Sequence, residues 1–349
     1  MEMGDDVTSP GRPSLYVTAE LTINHTTEGL PTTKPLMSAS VYTILVASQS
    51  ATFLIAAIIG TVSNILVILT YKKLGFSDSI NISYVALAVS DMGAVITRAW
   101  GAMCIVFVLL NAQLPFNPDD VAITTAFWYG QGFEKTTGCI TAYISLERCF
   151  CVMFPLRVRT IVTRTKTLTI IASFFVLVFG VSTLSHVAHQ YTWNFIPARN
   201  RTILGLESVK TPLYYTMRQV LFVYFGPLLY VPTLLTVWLC TIILAVYLKR
   251  SRQKFKGQIN QARDKETHAA KVVIAIASAF LVFTTPSVVL NLALIFVPGF
   301  DTRSVYARTA LVLYGCIGLL SVFNSGTNLF IYIYTGSKFR ETLRKILSA

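Results

Sequence analysis

Glu147 and Arg148 stand side by side in Ile144-Ser145-Leu146-Glu147-Arg148-Cys149, at the end of an apolar run that starts near Val121. A basic segment, Pro155 to Lys166, follows directly. An acid–base pair at such a border can make and break ion pairs, because charge there passes from costly to tolerated. An ionised Arg costs roughly 2.5–3.5 kcal/mol at a bilayer centre and much less near the interface. The plain alternative is an arginine that snorkels into the headgroups. Other polar groups interrupt apolar runs elsewhere: Asn64, Asp91, Arg98, Glu134-Lys135-Thr136-Thr137, Asn324-Ser325 and Asn328. Inside a helix bundle such groups are expensive, and they serve ion binding, ligand contact or switching. No hydrolytic or metal-catalytic constellation accompanies them, so no enzyme is expected. His186 and His189 would offer a metal two ligands without a third.

These residues must be positioned by membrane helices. The 349-residue chain is 54% hydrophobic and 13% charged, against about a quarter charged in soluble proteins. Its apolar residues gather into seven runs, roughly 42–71, 82–108, 121–150, 168–190, 214–248, 269–297 and 307–334. Each is long enough to cross hydrocarbon as a helix. Strong β-alternation is absent, so the expected class is an all-α membrane protein, a seven-transmembrane helix bundle. Residues 1–41 are polar, rich in Ser, Thr and Pro, and expected to form a disordered tail without a signal peptide. Residues 42–334 form the bundle, and residues 335–349 a short amphipathic cytoplasmic helix whose Phe339, Leu343, Ile346 and Leu347 suit the inner leaflet.

The net charge of +13 would suggest a nucleic-acid partner only if it were gathered on one surface. Instead it alternates between connections. The connections after the first, third and fifth runs and the C-terminal segment, together with Glu147-Arg148, hold nineteen basic residues against five acids. The opposite side holds eight against nine. That bias places the N-terminus outside and the C-terminus in the cytosol, as an odd number of spans requires. No nucleic acid is expected as a partner. The orientation exposes two glycosylation sequons, at Asn24 and Asn200, and makes the one at Asn81 a chance match. The six cysteines all lie in or beside apolar runs, so no disulfide framework is expected; Cys149 or Cys151 either packs or is acylated. No internal repeat is evident, which weakens a transporter reading.

Four motifs fall in order: Asn64 in the first run, Leu87-Ala88-Val89-Ser90-Asp91 in the second, Glu147-Arg148 in the third, and Asn324-Ser325 with Asn328 and Tyr332 in the seventh. With them the chain resembles the rhodopsin-like (class A) G-protein-coupled receptors across nearly all of residues 42–348. The run Glu147-Arg148-Cys149-Phe150-Cys151-Val152-Met153-Phe154-Pro155-Leu156 is most similar to the molluscan chemosensory receptors of that family.

The resemblance implies a switch made of Glu147, Arg148, Glu266, Asn328 and Tyr332. Glu266 is either a lock partner for Arg148 or one charge on a solvated helix beside Asp264 and Lys265. Asp91, Thr137, Asn324 and Ser325 match the family's sodium pocket, although a lone buried Asp could instead be protonated and hydrogen-bonded. Pro286, and Pro227 with Pro232, would kink the sixth and fifth spans.

The chain also departs from the family. Ile123 stands where a bridging cysteine is usual, and residues 191–213 contain none. The outer loop must therefore be held otherwise or be mobile. Thr284 replaces the sixth-span Trp, and Leu329 replaces the seventh-span Pro. Val322 occupies the position of the retinal-binding lysine, so no retinal is expected, and Gly130 stands where aminergic receptors carry an acid. The remaining outer charges are Arg98, Glu134 and Lys135. Arg98 either clamps an anionic group of a ligand or pairs with Glu134. The expected ligand pocket is Arg98, Trp128, Gly130, Glu134 and Thr284, with Trp100, Tyr129 and Phe133 as further apolar walls.

The resulting expectation is a plasma-membrane receptor. An extracellular ligand, a chemosensory small molecule, shifts its population toward a state that activates a heterotrimeric G protein. A neuropeptide receptor is the neighbouring alternative, and a transporter or channel the alternative of another class.

Overall fold

The computed structural model describes residues 36–76, 78–154, 162–187, 189–196, 200–208, 216, 220, 228–254, 261–297 and 306–348. Seven long helices are present among them: α1 (Ala39–Leu74), α2 (Ser79–Leu109), α3, α4 (Arg164–Val187), α5 (Leu229–Lys254), α6 (Gln261–Phe296) and α7 (Ala307–Thr335). A short α8 (Ser337–Leu347) follows α7 after a single residue. The third helix is composite. It begins as Pro118–Ala122, passes through a π-helical stretch, Ile123–Phe127, and continues as Trp128–Met153. Pro118 in its first turn and the Asn117 side chain, which accepts from Asp119 N–H at 3.3 Å, mark its start.

Six of the seven long helices are long and apolar enough to cross a membrane by composition alone. The exception is α3, and its local chemistry explains why it still packs at the centre. Thr136, Thr141 and Ser145 each return their hydroxyl to the carbonyl four residues earlier, at 2.8–2.9 Å. A polar side chain satisfied by its own helix needs no partner in the surrounding apolar layer. Those three residues are fully or almost fully buried.

The outward faces are apolar. Ile58, Val176, Leu177, Val282 and Val289 are each at least 60% exposed. Soluble monomers rarely show contiguous apolar surface on that scale, whereas lipid covers it without cost. The inward faces meet in one large core to which all eight helices contribute, among them Val67, Leu87, Ile144, Ile171, Leu244, Val273, Tyr332 and Leu343. Pro232 lies inside α5 and Pro286 inside α6, and both stay within continuous helix.

One element departs from the expectation of helices and loops. The fourth run was expected to reach residue 190, but α4 stops at Val187 and the chain enters β1 (His189–Ile196), paired antiparallel with β2 (Arg201–Ser208). Tyr191, Trp193 and Phe195, all three exposed, alternate with polar residues along β1, a period-2 pattern that suits a strand. It is too short to register against the surrounding membrane-length runs.

Candidate functional site

The polar groups of the bundle form three clusters at successive depths along α2 and α3. The outer one is built on Glu134 and Lys135 of α3. Arg98 of α2 donates through both Nε and Nη2 to Glu134 Oε1, the Nε bond measuring 2.8 Å. Ser321 of α7 faces the same carboxylate. Lys135, only 2% exposed, donates to Gln131 Oε1 at 2.9 Å and lies 3.2 Å from the centre of the Tyr230 ring. A desolvated ammonium over an aromatic face is held by the ring quadrupole. Tyr230 of α5 in turn accepts from Ser287 of α6 at 3.1 Å. Two adjacent residues of α3 thus connect it to α2, α7, α5 and, through Tyr230, α6.

The room for Arg98 comes from α7. A Cβ placed on Gly318 would lie 2.7 Å from Arg98 Nη1 and 2.9 Å from the Phe53 ring. Any larger residue at 318 would force the Arg98 guanidinium and the Phe53 ring to shift. Of the two roles open to Arg98, the structure forms the ion pair.

Beneath this cluster lies Asp91, 1% exposed. Thr137 donates to its Oδ1 at 2.8 Å and Asn328 Nδ2 to its Oδ2 at 2.7 Å. Thr137 also reaches Ser90 Oγ at 3.1 Å, and Ser325 faces the Asp91 carboxylate. Asn64 ties α1 to this region, donating to Gly60 O at 2.9 Å and more weakly to Ser325 O at 3.4 Å. A small cavity joins these two levels. Asp91, Thr137, Asn324 and Ser325 line its lower part, and Glu134, Tyr230, Phe283, Thr284, Ser287 and Ser321 line the rest. A carboxylate, two hydroxyls and an amide on one wall are hard oxygen ligands of the kind sodium takes, so the residues present suit that ion.

The inner cluster is built on Glu147 and Arg148. Glu147 Oε1 accepts from Arg148 Nη2 at 2.9 Å and from Ser79 of α2 at 2.7 Å. Its Oε2 and Arg148 Nε are buried without a hydrogen-bond partner among the described residues. Tyr84 faces the pair from α2 and begins an aromatic cluster. Its ring lies 5.0 Å from Tyr332 and 5.2 Å from Tyr71, and Phe339 of α8 lies 5.1 Å from Tyr71 and 5.4 Å from Tyr332. Tyr332 is 1% exposed and its hydroxyl has no partner among the described residues.

The structure therefore brings Asp91, Thr137, Asn324 and Ser325 onto one cavity wall, with Asn328 bonded to Asp91. Glu134 and Thr284 line the same cavity, while Arg98 stands behind Glu134. Gly130 packs against α2, where a Cβ would meet Thr97 Oγ1 at 3.1 Å. Trp128 does not line the cavity; it packs with Val178 of α4. Tyr129 and Phe133 also turn toward α4, to His186 and Phe179. The exposed Trp100 donates to Thr125 at 2.8 Å. Helix geometry accounts for this correction: at about 100° per residue, Trp128 and Tyr129 sit some 120–140° around α3 from Glu134. The residues that sequence reasoning passed over are Tyr230, Phe280, Phe283, Ser287, Ile317 and Ser321. A signal for five of these was present, since Phe280, Phe283, Thr284 and Ser287, and likewise Ile317, Ser321, Asn324, Ser325 and Asn328, recur at helical spacing. The Glu266 side chain and Asn24 lie outside the described residues. Asn200 directly precedes β2, in the left-handed region at φ 46°.

Comparison with known proteins agrees with this geometry. The model of the 7 transmembrane receptor (rhodopsin family) matches residues 62–332. Adenosine receptor A2b of Bos taurus is 27% identical over 213 residues, which is 59% of this chain and 62% of that receptor. The chain thus spans about three-fifths of the length of that relative. The protein belongs to the rhodopsin family of seven-transmembrane receptors, which are signalling proteins of the membrane and not enzymes.

Proposed function

We propose that this rhodopsin-family receptor binds a small extracellular molecule in the bundle cavity and relays its presence to a heterotrimeric G protein, as a chemosensory receptor of the molluscan kind. The observation that carries the reading is continuity. The cavity wall runs from Glu134 and Thr284 to Asp91, which bonds Asn328, four residues before Tyr332. Tyr332 packs on Tyr84, which faces Glu147 and Arg148. A ligand seated between α3, α6 and α7 changes the relative stability of two arrangements of this column, and the coupling free energy passes to the inner surface. The N-terminus lies outside with glycans on Asn24 and Asn200, and α8 rests on the inner leaflet. Asp91, Thr137, Asn324 and Ser325 would hold a sodium ion, which would supply positive charge beside the buried carboxylate.

The test is expression in cells carrying a calcium reporter, screened with odorants, amino acids, amidated short peptides and purine nucleosides. The nucleosides are included because the bovine relative is named for adenosine. Arg148→Ala abolishes the response to any active compound while its binding persists. Equal loss of binding and response removes the role given to Arg148. Ligand-driven flux in cells lacking G proteins would make the protein a transporter or channel instead.

A further inference from the structure

The β1–β2 hairpin has no disulfide tether to the bundle, since no cysteine lies between residues 152 and 239. A lone two-stranded hairpin is marginally stable in water. This one is seated on the outer start of α3 by an edge of β2. The pairing register places Leu204 opposite Trp193 and Leu206 opposite Tyr191. Leu204 turns both of its backbone groups away from β1, donating N–H to Pro115 O at 2.9 Å and accepting from Asn117 N–H at 2.8 Å. Leu206, two residues on, points its N–H the same way, and this donor ends on the Asp120 carboxylate at 2.9 Å from Oδ2. The approach is tight: a Cβ on Gly205 would lie 3.3 Å from that same oxygen and 2.9 Å from Asn194 Nδ2. One turn further along α3, Thr124 and Tyr191 share a hydroxyl contact.

We propose that Asp120 is the positioning residue of the outer loop: its carboxylate, by accepting the outward N–H of Leu206, locks the hairpin onto α3 in place of a covalent bridge. A hydrogen bond to a charged acceptor is about twice as strong as a neutral one, which suits a tether that works beside two ordinary backbone bonds and one hydroxyl contact. The inference concerns the seating of the loop and holds whether or not the ligand is chemosensory.

Amide hydrogen exchange on the full chain in lipid nanodiscs tests it without a ligand. In Asp120→Ala, the peptide covering 201–208 exchanges about tenfold faster or more, while peptides covering 137–150 keep their protection. Asp120→Asn retains an acceptor oxygen and shows a smaller increase. Leu206→Pro deletes the same bond from the donor side. Because that N–H faces away from β1, the ladder tolerates it, as edge positions tolerate proline. Leu206→Pro then matches Asp120→Ala, and the double variant exchanges no faster than either single one. Unchanged hairpin exchange in the single variants, additive increases in the double, or faster exchange spread through the bundle would each overturn the assignment. If Asp120→Ala fails to fold, the comparison of Leu206→Pro with the unaltered protein decides.

Discussion

The two acid–base pairs of α3 use the same chemistry to opposite ends. Glu134 takes its arginine from another helix, thirty-six residues away in sequence, and receives two donors on one oxygen. Ser321 and Lys135 complete its surroundings, so α2, α3 and α7 are clamped at one level. Glu147 takes its arginine from the next residue of its own helix. Neighbours on a helix point about 100° apart, so that bond must wrap around α3 and cannot use the full fork of the guanidinium. One carboxylate oxygen and Arg148 Nε are left buried without partners among the described residues. The outer pair is a strut between helices, and the inner pair is a local latch. Only the latch leaves buried groups whose pairing would improve if the surrounding helices moved.

This contrast can be broken most forcefully at the strut. Arg98→Met leaves Glu134 buried without its main counter-charge, and unfolding stability falls by about 3–5 kcal/mol. Thermal unfolding in detergent reads the loss. Arg98→Met combined with Glu134→Leu recovers most of it, because the burial cost disappears with the second charge. If the double variant remains as unstable as the single one, the pair is not the strut described here.

The latch predicts a change of function at smaller cost. Glu147→Gln frees Arg148, and basal G-protein nucleotide exchange rises about fivefold or more, within the usual range of coupling energies. The thermal midpoint shifts little beside that of Arg98→Met. A variant that loses stability with no gain in basal exchange would make the inner pair a second strut.

The smallest effect is expected at Tyr332. Its hydroxyl is buried without a partner among the described residues, so Tyr332→Phe leaves thermal stability unchanged or raises it by up to about 1 kcal/mol. Agonist-driven exchange drops nonetheless if the hydroxyl finds a partner only in the active arrangement. Stability lost by more than 1 kcal/mol would show that the hydroxyl is already bonded at rest.

Much of the site was legible because it lies in one dimension. Asp91, Glu147-Arg148, Asn328 and Tyr332 stand out as polar residues within or bounding apolar runs, and no knowledge of packing is needed to find them. The third span was legible by its position between charged connections even though its composition falls short of an apolar helix. What misled was a choice of aromatic walls by proximity in sequence. Trp128 and Phe133 are close to Glu134 along the chain, yet they pack on Val178 and Phe179 of α4, while Tyr230 of α5, nearly a hundred residues away, lies against Lys135.

By itself, the amino-acid sequence determined which segments cross the membrane and where along each segment a charge falls. Those follow from the free energy of transferring each stretch out of water, which adds up locally. The tertiary structure alone decided how each helix is rotated about its axis: that Gly318 makes room for Arg98 to reach Glu134, that the cavity walls beyond α2 and α3 come from α5, α6 and α7, and that Asp120 meets Leu206. Such choices depend on the shapes that meet across helices, and shape complementarity between distant segments exists only once they are packed.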